Sequence, residues 1–370
     1  MKIGINTFGC EHGRSGIGSY LISLFKNIDS KTKHNFILFG EEIDRYTYSE
    51  AFANSFEAVN ISTKKPVLKL WHRIGILSFI KKQKFDIVLY PNPISFMPAR
   101  FSVPSVALVQ EIASLALAEK PFFKRAFIVR KLKKVHKIIA GSQYIRKDLI
   151  QLGIKDAKIE VIHNGIDHSL FYPHRELTGD TLVIKPFSIK RPYFIYVSRL
   201  QGEHKMHREL IDAFDLFKSK TKSEHRLVLS GSDGDKADLI HKAVAASAYA
   251  EDIFLTGHFP HENLPELYSC ADASVFPSIA EGVGLPILEA MATGIPVLCA
   301  KAGSLPEFAG NSALYFDAHN PVEIAENLER IVNDEKLRET MIENGLDWVK
   351  RFSWTKTADK TIEVLENLEA

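Results

Sequence analysis

The stretch Ala273-Ser-Val-Phe276-Pro-Ser-Ile-Ala-Glu281-Gly-Val-Gly-Leu-Pro-Ile-Leu-Glu289-Ala-Met-Ala-Thr-Gly294-Ile-Pro296-Val-Leu-Cys299 reads as strand, loop, helix and strand. Ala273–Phe276 is a short apolar run that Pro277-Ser278 ends. Pro286 suits the first turn of a helix, where its missing N–H would have no partner anyway. Gly294 suits the helix stop. Two strands joined by a helix lie parallel, so the unit is βαβ. Glu281 then falls in the loop and Glu289 about one turn into the helix. Between them lie Gly282, Val283, Gly284 and Leu285. The amides of Gly284 and Leu285 face outward at a helix N-terminus, which carries partial positive charge and suits an anion. Such carboxylates can accept hydrogen bonds from sugar hydroxyls, Glu289 from those of a ribose and Glu281 from those of a hexose, and each taken alone would equally suit an ordinary helix start.

The same alternation runs in both directions. Upstream, Tyr193–Val197 is a strand, Met206–Phe217 a helix, Arg226–Leu229 a strand, Ala237–Ala248 a helix and Ile253–Thr256 a strand. An earlier set begins with the strand Lys2–Phe8, a Gly-bearing loop and a helix over Tyr20–Ile28. It continues with strands at Asn35–Phe39, Phe85–Leu89, Ser105–Val109 and Lys137–Ala140. The expected fold class is α/β, with two Rossmann-like doubly wound parallel sheets facing across a cleft. The expected domains are 1–172 and 193–352, with 173–192, rich in Pro, Gly and charge, as the hinge. Ligands of such sheets bind beyond the carboxyl ends of the strands.

At 370 residues the chain is long enough for two cores. Cys10, Cys270 and Cys299 are odd in number and form no CxxC pair, which argues against a disulfide framework or zinc and fits a reducing cytoplasm. No signal peptide and no membrane span are expected. Net charge is +2, yet residues 64–147 hold 18 Lys and Arg against 3 Asp and Glu, a local +15 that leaves −13 for the rest. That asymmetry fits a polyanionic partner, such as an anionic membrane surface met by residues 64–147, and equally a basic face that is only solvated. Pro121–Lys137 mixes Phe122, Phe123, Phe127, Ile128 and Leu132 with seven basic residues, which fits either a basic amphipathic helix lying on a membrane or a buried helix with a basic edge. Nucleic acid is not expected, because it would leave Glu281 and Glu289 without a role.

Two further signals converge on a phosphate. Ser198-Arg199-Leu200 ends a strand and Lys205-Met206-His207 opens a helix, so Arg199 and Lys205 can neutralise a diphosphate without a metal. Gly13-Arg14-Ser-Gly16-Ile-Gly18-Ser-Tyr20 follows the first strand, but Leu21 stands where a GxGxxG fingerprint needs its third glycine, so a dinucleotide is not expected. Asp233-Gly-Asp235 reads as a turn.

The Glu281–Pro296 stretch resembles the E-x7-E motif of glycosyltransferase family 4, the group 1 retaining glycosyltransferases, usually written EGFGLPxLEAMAxGxPV. His163-Asn-Gly-Ile-Asp167, Gly303-Ser-Leu-Pro-Glu307 and Phe352-Ser-Trp354 also resemble family segments. The resemblance implies a GT-B fold with the final helix, within 353–370, packing back on the first domain. It implies that Glu289 binds ribose, Glu281 the donor sugar, and Arg199 and Lys205 the diphosphate, with Gly16 and Gly18 in the N-terminal loop and Arg14 near an anion. The implied reaction is metal-independent hexosyl transfer with retention, from a nucleotide-diphosphate sugar to a saccharide or lipid-linked saccharide, in cytoplasmic or membrane-peripheral polysaccharide biosynthesis. A UDP-hexose is slightly favoured over GDP-mannose. Three positions depart from the pattern. Val283 stands for Phe, Met206 for Asn or Gly, and Gln110-Glu111 for His-Asp. Gln110 can bind a sugar but cannot titrate. The readings that remain beside transfer are a GT-B nucleotide-sugar epimerase and a non-catalytic nucleotide-sugar binding protein.

Overall fold

A computed structural model describes residues 1–13, 15–28, 32–48, 56–62, 64–174, 180–184 and 187–368. Arg14 lies outside them. The chain divides into two units, one formed by Met1–Gly165 with Phe352–Ala370 and the other by Ile166–Arg351.

The first unit carries seven parallel strands: β1 (Lys2–Asn6), β2 (Asn35–Gly40), β3 (Phe56–Ala58), β4 (Ile87–Tyr90), β5 (Ser105–Val109), β6 (Lys137–Ala140) and β7 (Ile159–Val161), in spatial order β3-β2-β1-β4-β5-β6-β7. The central strands are continuous apolar runs because helices cover both faces of a parallel sheet. Every residue of β4 and β5 is buried. The helix Trp354–Glu366 belongs to this unit. Its Trp354, Ala358 and Leu365 share one core with Ile5 of β1 and with Tyr20 and Leu24 of the helix Gly16–Lys26. Gly165 makes this return physically feasible: a Cβ there would lie 2.1 Å from the Trp354 amide nitrogen. The Thr357 hydroxyl then donates to the His163 carbonyl at 2.7 Å. Thus the two chain segments 163–165 and 352–357, which resemble family segments, are in direct contact.

The second unit holds β8 (Thr181–Ile184), β9 (Phe187–Lys190), β10 (Tyr193–Val197), β11 (Arg226–Ser230), β12 (Ile253–Gly257), β13 (Ala273–Phe276), β14 (Val297–Ala300) and β15 (Ala313–Phe316). Six of these form a parallel sheet in the order β12-β11-β10-β13-β14-β15. The order reverses beside β10, between β11 and β13. A sheet of this kind opens its ligand crevice at that switch. The strand and helix expected around Glu281 are present, as β13 and the helix Leu285–Ala292.

The segment expected as the hinge covers 173–192. The chain passes into the second unit at Gly165–Ile166, ahead of that segment. The described part of 173–192 forms the antiparallel hairpin β8–β9. Leu182 and Ile184 are buried and Val183 is exposed, so the pair is half-buried rather than a free tether.

Among the described residues no helix is long and apolar enough to cross a membrane. Cys10, Cys270 and Cys299 are free and buried.

Two buried histidines make the fold less stable in acid. Burial holds His72, in the first unit, down at about 4, and His207, in the second, down at about 3. Both therefore stay neutral in the folded chain where the unfolded chain takes up a proton. The unfolded state binds more protons below about pH 6.5, so stability falls as pH drops through that value. Each histidine costs about 1.4 kcal/mol per pH unit, or about 2 kcal/mol by about pH 5. Urea unfolding at about pH 7 and pH 5 measures this. His207→Phe should flatten the loss in the second unit, and a midpoint that does not move with pH would refute the account.

Candidate functional site

The loop after β10 is held by its own backbone. Instead of turning, residues 198–202 run alongside 230–235. Ser198 donates to Ser230 at 2.9 Å, Leu200 to Ser232 at 3.0 Å and Gly202 to Asp235 at 3.0 Å, while Gly234 donates back to Leu200 at 2.8 Å. The approach is so close that a Cβ on Gly231 would meet the Ser198 carbonyl at 2.1 Å. This pairing fixes Arg199 on an exposed position, where it has no ion-pair partner among the described residues. It also explains Asp233-Gly234-Asp235. The segment is a backbone partner of 200–202, and the Asp233 carboxylate meets His241 Nε2 at 3.0 Å.

The chain then reverses through one short turn, Glu203–Lys205, and enters the helix His207–Thr221. Three contacts hold the turn. The Tyr196 hydroxyl donates to the Lys205 carbonyl at 3.0 Å, and the Ser278 hydroxyl and Ile279 amide donate to the His204 carbonyl at 3.2 and 3.0 Å. Met206 caps the helix at φ 53°, in the left-handed region. Glycine and asparagine reach that region at least cost, which gives the physical reason for the family's Asn or Gly there. Met206 occupies it with its side chain buried.

This turn carries Lys205 to Glu281. The two side chains form an ion pair, with the lysine 20% and the carboxylate 13% exposed. Glu281 is itself pinned by the loop that follows β14. Its carbonyl accepts from the Ser304 amide at 3.1 Å, and Gly303, at φ +58°, presses on its backbone. Gly303-Ser304 thus backs the Glu281 loop.

Gly284 opens the helix Leu285–Ala292, with Pro286 in the first turn. Ile287 and Leu288 donate to the Gly284 carbonyl at 3.2 and 3.3 Å. Among the described residues the amides of Gly284 and Leu285 have no acceptor, as the first amides of a helix do. A Cβ on Gly284 would come within 3.0 Å of Phe308, so a larger residue would push the loop away from the neighbouring helix. Gly282 is buried and Val283 half-buried in the same loop.

Glu289 is 8% exposed, and two residues from the preceding segment hold it. The Tyr268 hydroxyl donates to Oε2 at 3.4 Å, and His261 Nε2 lies 3.6 Å from Oε1. The carboxylate raises the His261 pKa above the usual histidine value. Neither Tyr268 nor His261 was legible as a site residue, because nothing in chain spacing relates them to Glu289. A Tyr two positions before Cys270, in a helix, looks like core.

The other expected residues lie in the first unit. Ser15 caps the helix Gly16–Lys26 by accepting from the Gly18 amide at 3.2 Å, and a Cβ on Gly18 would sit 2.4 Å from the Cys10 carbonyl. Gly18 therefore shapes the loop, and its amide is already used. Gly16 has open space where a side chain would be. Gln110 follows β5. Both polar atoms of its amide are buried, and neither has a partner among the described residues. A buried amide left unpaired costs about 1–3 kcal/mol, so such a group calls for an explanation.

A cavity of about 830 Å³ opens between the helices His207–Thr221 and Ala237–Ala246, lined by Met206, His207, Asp212 and Ile240 among others. Arg199, Lys205, Glu281 and Glu289 do not line it. The site is defined by converging charge and unpaired amides rather than by that cavity. Among the described residues no three His, Cys, Asp or Glu group to hold a metal.

Known proteins resemble the chain along its whole length. The family model "Glycosyltransferase Family 4" matches residues 14–170, and "Glycosyl transferases group 1" matches residues 183–348. The O-antigen chain mannosyltransferase B of Escherichia coli is 26% identical over 388 residues, covering 100% of both chains. A D-inositol 3-phosphate glycosyltransferase of Nocardioides sp. is 25% identical over 63% of this chain and 54% of its own length. Among solved structures, HepE of Anabaena in complex with UDP and glucose superposes with a TM-score of 0.75 at 18% identity, covering 99% of both chains. The sucrose-phosphate synthase of Thermosynechococcus elongatus superposes with a TM-score of 0.79 at 17% identity, covering 100% of this chain and 99% of its own.

Proposed function

From a chain that belongs to glycosyltransferase family 4, the group 1 glycosyltransferases, and that has the GT-B fold, we propose a retaining hexosyltransferase that uses a nucleotide-diphosphate sugar. The acceptor is a saccharide or lipid-linked saccharide of a surface polysaccharide. One observation carries the reading. The Lys205–Glu281 pair sits four residues ahead of a helix start with two free amides, and the next turn of that helix bears the buried Glu289.

The roles follow from charge. The donor diphosphate gains negative charge as the C1–O bond to phosphate breaks. Arg199, Lys205 and the amides of Gly284 and Leu285 supply fixed positive charge and N–H donors for it, with no divalent metal required. Glu289 accepts from the ribose hydroxyls. Glu281 holds Lys205 in place and accepts from hydroxyls of the hexose. The acceptor oxygen attacks C1 on the face the phosphate leaves, and its proton passes to the departing phosphate oxygen. Retention then needs no titrating protein group, which is consistent with Gln110 in place of histidine.

The transferred sugar is mannose, from GDP-mannose, on the strength of the full-length mannosyltransferase relative. A UDP-hexose is the second reading, favoured by HepE, which was solved with UDP and glucose. Calorimetric titration with GDP and with UDP, each in EDTA, separates them. Binding of one diphosphate without metal, followed by an α-linked product from its α-sugar, is the expected result. Folded protein that binds neither would sink the proposal.

Gln110 gives a further prediction. Its unpaired amide is the group we assign to a sugar hydroxyl. Gln110→Leu should leave thermal stability equal or higher, because an orphaned polar group is removed. The same change should lower kcat/KM about tenfold, the worth of about 1.4 kcal/mol. A variant that loses stability and keeps its activity would show that the amide is structural.

A further inference from the structure

The helix Phe122–Lys134 does not lie flat on its unit. Every residue from Pro121 to Phe127 is exposed, whereas Ile128, Lys131 and Leu132 are buried and anchor the second half. The protruding first turn carries Phe122 at 76% and Phe123 at 84% exposure, their rings edge to face with centroids 5.8 Å apart. Lys131 Nζ donates to the Met97 carbonyl at 2.8 Å and fastens the helix from below. A second segment stands beside the tip. The Arg73 guanidinium lies over the Phe127 ring at 5.5 Å, and Leu70 and Ile74, on either side of Arg73 in sequence, are 59% and 61% exposed. Two segments that carry large, open apolar side chains thus meet at Arg73 and Phe127, which sets them apart from single apolar residues scattered over a surface.

The charge around the patch has one sign. Lys124, Arg125, Arg130, Lys133 and Lys134 are exposed and have no ion-pair partner among the described residues. Glu119 is the sole carboxylate between residues 112 and 147. An exposed apolar turn that carries unpaired Lys124 and Arg125, with Arg130, Lys133 and Lys134 following along the same helix, matches the acyl and headgroup boundary of an anionic bilayer, where rings enter and cations meet lipid phosphates. A nucleic acid would answer the cations and the rings, but it gives Leu70 and Ile74 nothing to bury against.

We propose that the exposed turn Pro121–Phe127, with Leu70 and Ile74, is a docking tip that inserts into an anionic lipid bilayer. It deepens the reading of a lipid-linked acceptor by naming the surface that brings the enzyme to it. Its test is independent of the nucleotide.

Flotation of the full chain with vesicles is the experiment. The vesicles are pure phosphatidylcholine, or phosphatidylcholine with roughly one-third phosphatidylglycerol, at about 0.1 M and about 0.5 M salt. The wild type should bind the anionic vesicles at least about tenfold better than the neutral ones, and less well at high salt. Phe122→Ser with Phe123→Ser should lower that binding about tenfold or more at an unchanged melting temperature, because both rings are already in water. Lys124→Gln with Arg125→Gln should weaken binding to the anionic vesicles and make it less sensitive to salt, in part, because Arg130, Lys133 and Lys134 remain. Nucleotide binding should be unchanged in both variants, so failure here is separate from failure of the donor site. A wild type that stays off anionic vesicles overturns the proposal, as does one whose binding ignores the phenylalanine pair. Tighter binding to a single-stranded DNA probe, which the anionic vesicles cannot compete away, would also overturn it.

Discussion

Lys205→Ala lowers kcat about 10²- to 10³-fold, the usual result of removing one fixed charge from a developing oxyanion. The loss has two sources that different variants separate. The first is the missing cation at the leaving diphosphate. The second is Glu281, which loses its partner while only 13% exposed. Stripping one partner from a fully buried pair costs 3–5 kcal/mol of stability, and partial exposure here brings that to about 1–3 kcal/mol. Lys205→Ala with Glu281→Gln should recover the stability, because no carboxylate is left unpaired, and should not recover kcat. Lys205→Arg should keep most of the stability and part of the rate, since a planar fork replaces a point charge. Single-turnover rates with saturating donor, beside thermal melts, distinguish these outcomes. A Lys205→Ala enzyme with near-normal kcat would remove Lys205 from the chemistry and leave it as a loop fastener.

Glu289→Ala weakens donor and nucleoside-diphosphate binding by about 10²-fold or more. Two hydrogen bonds from ribose hydroxyls to a carboxylate that is already dehydrated are lost, at about 1.5–3 kcal/mol each before non-additivity. The carboxylate is held in position by Tyr268, which donates at 3.4 Å, and by His261 beside it at 3.6 Å. Alanine also leaves the buried Tyr268 hydroxyl without an acceptor, so a fall in stability of about 1–3 kcal/mol accompanies the change. A 2′-deoxynucleotide separates the two effects. It should bind the wild type markedly less well than the ribonucleotide, and bind Glu289→Ala about equally with it. Equal preference for the ribose in both proteins would refute the assignment of Glu289. His261 adds a dependence on pH. Its raised pKa means that its attraction to Glu289 is full below the ordinary histidine value and is lost as pH rises through the raised one. His261→Gln should therefore flatten the pH dependence of stability on the alkaline side of about 6.5.

The local placement of Glu281 and Glu289 was legible because its signals are local. Glu281, Gly284, Pro286 and Glu289 lie within one loop and one helix. Their relative placement follows from 3.6 residues per turn and from where a proline can start a helix. The βαβ alternation was legible for the same reason, since buried parallel strands are unbroken apolar runs. Strands of only three residues, such as β3 and β7, are too short to carry a period, and none was expected there. The hairpin at β8–β9 does alternate, with Leu182 and Ile184 buried and Val183 exposed, but Pro and charge around it gave the look of a linker.

By itself, then, the chain's order of residues determined the two-sheet α/β plan, the helix that presents Glu289, and the positions of the cations Arg199 and Lys205. Those are properties of short range, governed by backbone geometry and by the burial of neighbouring apolar residues. The tertiary structure alone decided what each charge faces. It brought Lys205 onto Glu281 across 76 positions, set Tyr268 and His261 against Glu289, and used up the Gly18 amide in a helix cap. It left both atoms of Gln110 unpaired and stood Phe122 and Phe123 out in water. The reason is physical. A side chain's partner is set by which loops the packed sheet brings together, and the energy of that meeting depends on burial, which no local pattern encodes.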